Sequence, residues 1–240
     1  MRADVSSQFV SGLLLAAPAM PSGLRVTLEG DLVAAPFVAM TVEVMRAFGA
    51  TVEGLAVEPG TYRARTYAIE PDASAASYFF AAAAITGREI RVAGLGAPSL
   101  QGDLAFRDVI ARMGRPLRGI DVDLGDMPDM AQTFAVLAAV ADGPSRVRGV
   151  GVIRGHETDR IAAVVHELRR VGVGAVETDD GFVVEPAPLR PAVVETYDDH
   201  RMAMAFALLG LVEPGIRIAH PEVVAKTFPG FWDALATVRS

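Results

Sequence analysis

The stretch Asp72-Ala73-Ser74-Ala75-Ala76-Ser77-Tyr78-Phe79-Phe80-Ala81-Ala82-Ala83-Ala84-Ile85-Thr86-Gly87 reads as a helix with both ends marked. It opens on an acid suited to an N-cap and stops at a glycine suited to the C′ position. Its interior carries no charge, so the helix must be covered on all sides. The same design recurs from Ser6-Ser7-Gln8 to Ala17, from Asp129-Met130-Ala131 to Gly143 and from Asp199-His200-Arg201 to Gly210. The starts lie about 57 to 70 residues apart, the scale of one supersecondary unit per repeat.

A second, amphipathic helix follows in each complete copy and ends at another glycine: Met40 to Phe48 before Gly49, Leu104 to Met113 before Gly114, Thr158 to Val171 before Gly172. Strand signals come next. The clearest are Ala175-Val176-Glu177-Thr178 and Phe182-Val183-Val184-Glu185, which flank the hairpin turn Asp179-Asp180-Gly181. Each unit therefore reads βαβαββ, an α/β arrangement, and the chain holds about three full units with partial ones at its ends. A Ser or Asp at every start has two readings. It is an ordinary N-cap, which needs no ligand, or it marks helix N-termini converging on an anion.

Composition narrows the function classes. The 240 residues can bury a large core as one domain or two. Apolar runs such as Leu13 to Ala17 and Phe79 to Ile85 are far shorter than the roughly 20 residues of a membrane span. The start, Met1 to Gln8, shows no leader pattern. A formal charge of -7 argues against a general nucleic-acid binder, though not against a small anion held by local cations. With no cysteine, disulfide and thiolate chemistry are excluded. A cytoplasmic location is the expectation.

Three clusters carry candidate chemistry. In Arg154-Gly155-His156-Glu157-Thr158-Asp159-Arg160, Glu157 and Arg160 sit three apart at a helix start and face the same side. Alone, they also fit a solvated ion pair on a capped surface helix. In Asp198-Asp199-His200-Arg201-Met202-Ala203-Met204, an acid, an imidazole and a guanidinium stand at the mouth of an apolar helix. A helix this apolar is buried, which places the His and Arg on a cleft. The third, Ala225-Lys226-Thr227-Phe228-Pro229-Gly230, is a lone lysine before a turn.

Taken in order, these clusters resemble the enolpyruvyl transferase family, and within it the 5-enolpyruvylshikimate-3-phosphate synthases. The likeness runs from Ser6 to Leu235 and includes Ser6-Ser7-Gln8-Phe9, Pro59-Gly60-Thr61-Tyr62, Asp72 to Phe79 and Gln101-Gly102-Asp103. It implies repeated βαβαββ units in an incomplete two-domain architecture, with residues 1–69 the tail of one domain and 70–240 most of the other. It also implies transfer of the carboxyvinyl group of phosphoenolpyruvate to the 5-hydroxyl of shikimate 3-phosphate, with no metal and no organic cofactor.

By that resemblance Ser6, Ser7 and Gln8 bind the shikimate phosphate and hydroxyls. Asp129 contacts the shikimate hydroxyls and helps take the proton from the attacking one, and Glu157 is its acid/base partner. Arg160, Arg201 and Lys226 are cationic ligands of phosphoenolpyruvate, with Lys226 and His200 assisting proton transfer. His156 binds substrate where many members have lysine. The sequence also departs from the pattern at Ala34, Phe37 and Val152, where polar residues are common. Full members carry further units, so a separate N-terminal half is an expected partner. The alternative is a non-catalytic remnant that still binds phosphorylated ligands.

Overall fold

Ala131-Gln132-Thr133-Phe134-Ala135-Val136-Leu137-Ala138-Ala139 forms a helix buried at every position, and the rest of the larger unit is arranged to cover it. The computed structural model describes residues 1, 6–30, 32–96 and 99–239; apart from Met1, the segment before Ser6, on which the leader expectation falls, lies outside them. The chain forms two units. One comprises Met1–Pro71 with Gly94–Gly102, the other Asp72–Ala93 with Asp103–Ser240.

In the second unit the covered helix is α5 (Ala131–Ala139), preceded by β4 (Asp121–Asp123) and followed by β5 (Ser145–Arg148), α6 (Arg160–Arg170), β6 (Gly174–Thr178) and β7 (Gly181–Glu185). This is one complete βαβαββ unit. Its sheet has the order β4-β5-β7-β6. β4 and β5 run parallel across the α5 crossover, and β7 is antiparallel to both neighbours. The hairpin closes with Thr178 opposite Gly181, where the sequence places it. Gly181 is required there, because an added Cβ would lie 2.1 Å from the Val147 carbonyl oxygen.

The expectation of three full units is not met among the described residues. After α3 (Ala73–Thr86) no strand forms before α4 (Phe106–Met113), and after α4 only β4 follows instead of a hairpin. The connection Gly114 to Ile120 is too short for two strands and a turn. The last copy is likewise abbreviated to β8 (Ala192–Val194), α7 (His200–Ala207), β9 (Ile216–Ile218) and α8 (Phe231–Arg239), with β8 and β9 parallel.

Helices α3 and α7 pack on α5. All three lack a polar face because all three are interior, as their sequences require. Their beginnings meet: Ser77 Oγ in α3 lies 3.2 Å from Thr133 Oγ1 in α5, and Arg201 in α7 reaches back to Asp129 before α5.

The first unit has its own small core, in which α1 (Ser7–Ala16) packs on α2 (Ala35–Ala47) through Val10, Leu14, Val38, Val42 and Met45. A three-stranded antiparallel sheet of β1 (Leu24–Arg25), β3 (Ala56–Val57) and β2 (Val52–Glu53) completes it. Helix α1 is as apolar as the interior helices, yet Phe9 is 59% exposed and Leu13 and Leu15 are exposed with it.

Two truncations should separate these environments. Phe134→Ala, in α5, is expected to lower unfolding stability by about 3–5 kcal/mol. Phe9→Ala, in α1, should stay within about 0.5 kcal/mol of the unaltered chain. Urea denaturation measures both, and equal losses would mean that α1 and α5 do not differ in burial as described.

Candidate active site

Three of the four repeated helix starts are ordinary caps. Ser6 accepts from the Gln8 amide at 3.2 Å, Asp72 from Ala75 at 3.0 Å and Asp199 from Arg201 at 2.8 Å. Asp129 is different. It sits in a short 3₁₀ turn ahead of α5, whose N-cap is Met130, and its side chain caps nothing. That carboxylate is free to bind cations: Oδ1 accepts from Arg160 Nη1 at 2.9 Å and Oδ2 from Arg201 Nη2 at 2.8 Å.

Arg160 is the centre of the cluster. It opens α6, set by the Asp159 cap on Ala162, and its side chain is only 2% exposed. A buried guanidinium requires partners for its charge and its donors. Nε donates to Asp199 Oδ2 at 2.6 Å, Nη1 to Asp129 and to His156 Nδ1 at 3.0 Å, and Nη2 to Glu157 Oε2 at 2.7 Å and Asp199 Oδ1 at 3.4 Å. Every N–H therefore has an acceptor. The alternative of a solvated surface pair for Glu157 and Arg160 fails on this burial. Glu157 extends the chain outward, Oε1 accepting from Lys226 Nζ at 2.5 Å.

The protonation states follow. Arginine only donates, so the His156 Nδ1 that receives it is unprotonated. Burial and Arg160 push the His156 pKa down against Asp129 and Glu157, and the ring is neutral at pH 7. Burial and Arg201 push His200 down as well; its Nδ1 lies 3.9 Å from Asp199 Oδ1. Partial burial favours the neutral form of Glu157, but the Lys226 hydrogen bond and the Arg160 charge outweigh it and hold the carboxyl at about 2. Burial disfavours the charge of Arg201, while Tyr78, Asp129 and Asp103 keep its pKa above the usual arginine value.

The structure thus brings Asp129, His156, Glu157, Arg160, Arg201 and Lys226 into one hydrogen-bonded network, with His200 buried beside it. Ser6, Ser7 and Gln8 stand in the first unit, at the start of α1. The sequence reading took Asp199 only as a helix start in an acid–imidazole–guanidinium cluster, and two further residues escaped it. Asp199 serves as the buried partner of Arg160 as well as a cap. Tyr78, on α3, faces Arg201, and burial pushes its pKa up to about 12. Asp103 is buried, is bonded to the Ser74 hydroxyl, and has its pKa raised by burial to about 6. The only signal for Asp103 was the Gln101-Gly102-Asp103 run. Among the described residues no group of His, Asp and Glu could hold a metal ion, and no helix is long and apolar enough to cross a membrane.

Because the folded pKa of Glu157, about 2, lies below its ordinary 4.5, its ion pairs stabilise the fold above the ordinary value. That contribution is lost as pH falls from about 4.5 to about 2. In a carboxyl ¹³C NMR titration Glu157 should stay ionised throughout the upper part of this window, and Lys226→Met should move its midpoint up. An ordinary midpoint in the unaltered chain would exclude the Lys226–Glu157 pair in solution.

Comparison with known proteins gives the same outline. The family model for EPSP synthase (3-phosphoshikimate 1-carboxyvinyltransferase) matches residues 1–235. A 3-phosphoshikimate 1-carboxyvinyltransferase of Trichormus variabilis is 45% identical over 97% of this chain and 59% of its own length. One of Methanoculleus marisnigri is 40% identical over 97% of this chain and 60% of its own length. The fold matches an EPSP synthase structure from Acinetobacter baumannii, with TM-score 0.71 at 22% identity over 97% of this chain and 60% of that one. It also matches an enolpyruvyl transferase from Streptomyces tendae, with TM-score 0.68 at 21% identity over 93% of this chain and 57% of that one. The chain thus spans about three-fifths of the length of the curated relatives it matches. On the match to residues 1–235 and the identity to these relatives, it belongs to the EPSP synthase (3-phosphoshikimate 1-carboxyvinyltransferase) family.

Proposed function

We propose that this chain carries part of the site that transfers the carboxyvinyl group of phosphoenolpyruvate to the 5-hydroxyl of shikimate 3-phosphate with release of phosphate. The observation that supports it most is the line Arg201–Asp129–Arg160–Glu157–Lys226, two carboxylates alternating with three cations. The reaction needs both signs of charge. The 5-hydroxyl loses a proton as its oxygen attacks C2 of phosphoenolpyruvate, and C3 gains one. The tetrahedral ketal then loses a C3 proton and expels phosphate. Positioned acids and bases supply such transfers, and cations offset the repulsion between two anionic substrates.

Asp129, held between Arg160 and Arg201, takes the hydroxyl proton. Glu157 and Lys226 share the proton nearest the outer end of the line and exchange it with C3. As the chain stands Glu157 is held ionised, and so acts as a base. It becomes an acid when the phosphate of phosphoenolpyruvate draws Lys226 away, since losing that partner raises its pKa. Lys226, half exposed, and Arg201 receive incoming anions directly. Arg160, with every donor occupied, receives one only by exchanging Glu157 or Asp129 for it. His156, neutral, offers Nε2–H to a substrate oxygen, and His200 assists proton transfer. Ser6, Ser7 and Gln8 bind shikimate 3-phosphate with hydroxyl and amide donors.

The share of the relatives' length that this chain spans supports a second reading, a ligand-binding remnant or one partner of a two-piece enzyme. Losing one preorganised donor from such a site typically costs about 2.7–4 kcal/mol of transition-state stabilisation. The 240 residues alone are therefore expected to give no phosphate release from the two substrates. Supplying the N-terminal two-fifths of a relative as a separate polypeptide should restore it, and Glu157→Ala or Lys226→Ala should then abolish it. Full turnover by the chain alone would refute the need for the remainder. No turnover in the reconstituted pair would favour the binding remnant.

A further inference from the structure

Two turns along α6 from Arg160 stands Glu167, a carboxylate with no exposure at all and no part in the chemistry above. The two residues are seven apart and share one helix face. Glu167 Oε1 accepts from the Tyr197 hydroxyl at 2.8 Å, and Oε2 accepts from the Glu195 backbone N–H at 3.1 Å and pairs with Arg170 Nε at 2.9 Å. Two of these three partners, Glu195 and Tyr197, belong to the turn that leads from β8 into α7.

That turn is unusual. Tyr197 and Asp198 are consecutive non-glycine residues with φ of 53° and 56°, a left-handed conformation that side chains disfavour and that persists only when its surroundings impose it. The residues it delivers are Asp199, which holds Arg160, and then His200 and Arg201. Helix α6 therefore grips the same segment twice, through Arg160 to Asp199 and through Glu167 to the turn just before it.

We infer that Glu167 is a positioning residue: by holding the Glu195–Asp198 turn in its left-handed form, it sets where Asp199, His200 and Arg201 stand relative to Arg160 and Asp129. The Tyr197 phenol serves it as a donor, and burial and the Glu167 contact push its pKa up to about 12, so the donor keeps its proton at physiological pH. Arg170 reaches only Oε2, so the buried Oε1 depends on the Tyr197 hydroxyl and the carboxylate stays satisfied only while the turn stays in place.

The inference rests on the reading of His200 and Arg201 as substrate-facing, but its test does not depend on turnover. Ring ¹H–¹³C NMR resonances of His200 and His220 are compared in the 240-residue chain, in Glu167→Gln and in Tyr197→Phe. Tyr197→Phe keeps every charge, so any shift there reports geometry and not a lost anion. Both variants should move the His200 ring resonances by more than a linewidth and leave those of exposed His220 unchanged. If Glu167→Gln does not fold, Tyr197→Phe decides alone. An unmoved His200 in Tyr197→Phe overturns the inference, whether or not Glu167→Gln shifts it. Moved resonances together with a reconstituted enzyme that fails to turn over would leave the positioning role standing and remove the catalytic assignment.

Discussion

A single buried guanidinium organises the second unit. Transferring an unpaired charge into a protein interior is prohibitive, and a buried pair holds only if its geometry satisfies every donor. Arg160 meets that condition with acceptors from three places in the chain: Asp129 before α5, His156 and Glu157 before α6, and Asp199 at the cap of α7. No two of those segments can move independently without stranding a donor. The ends of the interior helices are tied together at the place where the candidate chemistry sits.

The apolar helices supply the complementary constraint. Helices α3, α5 and α7 carry no charged face and must be interior, and contacts between their beginnings bring the polar first turns together. There Tyr78, Asp103, Asp129, Asp199 and Arg201 are drawn from water together. Burial then sets their properties: Asp103 is pushed up to about 6 and Tyr78 to about 12, while the paired Glu157 is held near 2. Carboxyls of similar chemistry acquire different proton affinities from their surroundings alone, as acid and base work in one site requires.

The repeat also shows how a common motif is diverted. Ser6, Asp72 and Asp199 follow the capping pattern, and Asp199 adds a buried ion pair to it. Asp129, in the same register of the repeat, gives up the capping role because the 3₁₀ turn moves the helix start to Met130. The carboxylate is thereby released toward Arg160 and Arg201. The departure from the pattern and the candidate base are the same residue.

Much was legible in the sequence because it depends on local periodicity. Helices α3, α5 and α7, without a charged face, announced their own burial, though α1, no less apolar, leaves Phe9, Leu13 and Leu15 exposed; the glycines announced helix ends, Asp179-Asp180-Gly181 its hairpin, and the three-residue spacing of Glu157 and Arg160 their shared face. The order of the polar clusters was sufficient for the family. Local signals could not tell how many strands each repeat would keep, since strands as short as these exist only by pairing with a neighbour. Nor could they tell a surface ion pair from a buried hub. Arg160 looks the same in either case until Asp199, 39 residues away, closes on it at 2.6 Å. The sequence by itself determined that α3, α5 and α7 had to be inside. Only the tertiary structure decided which charges would meet there, because a buried charge takes its partners from whichever segments the packing brings within hydrogen-bond reach.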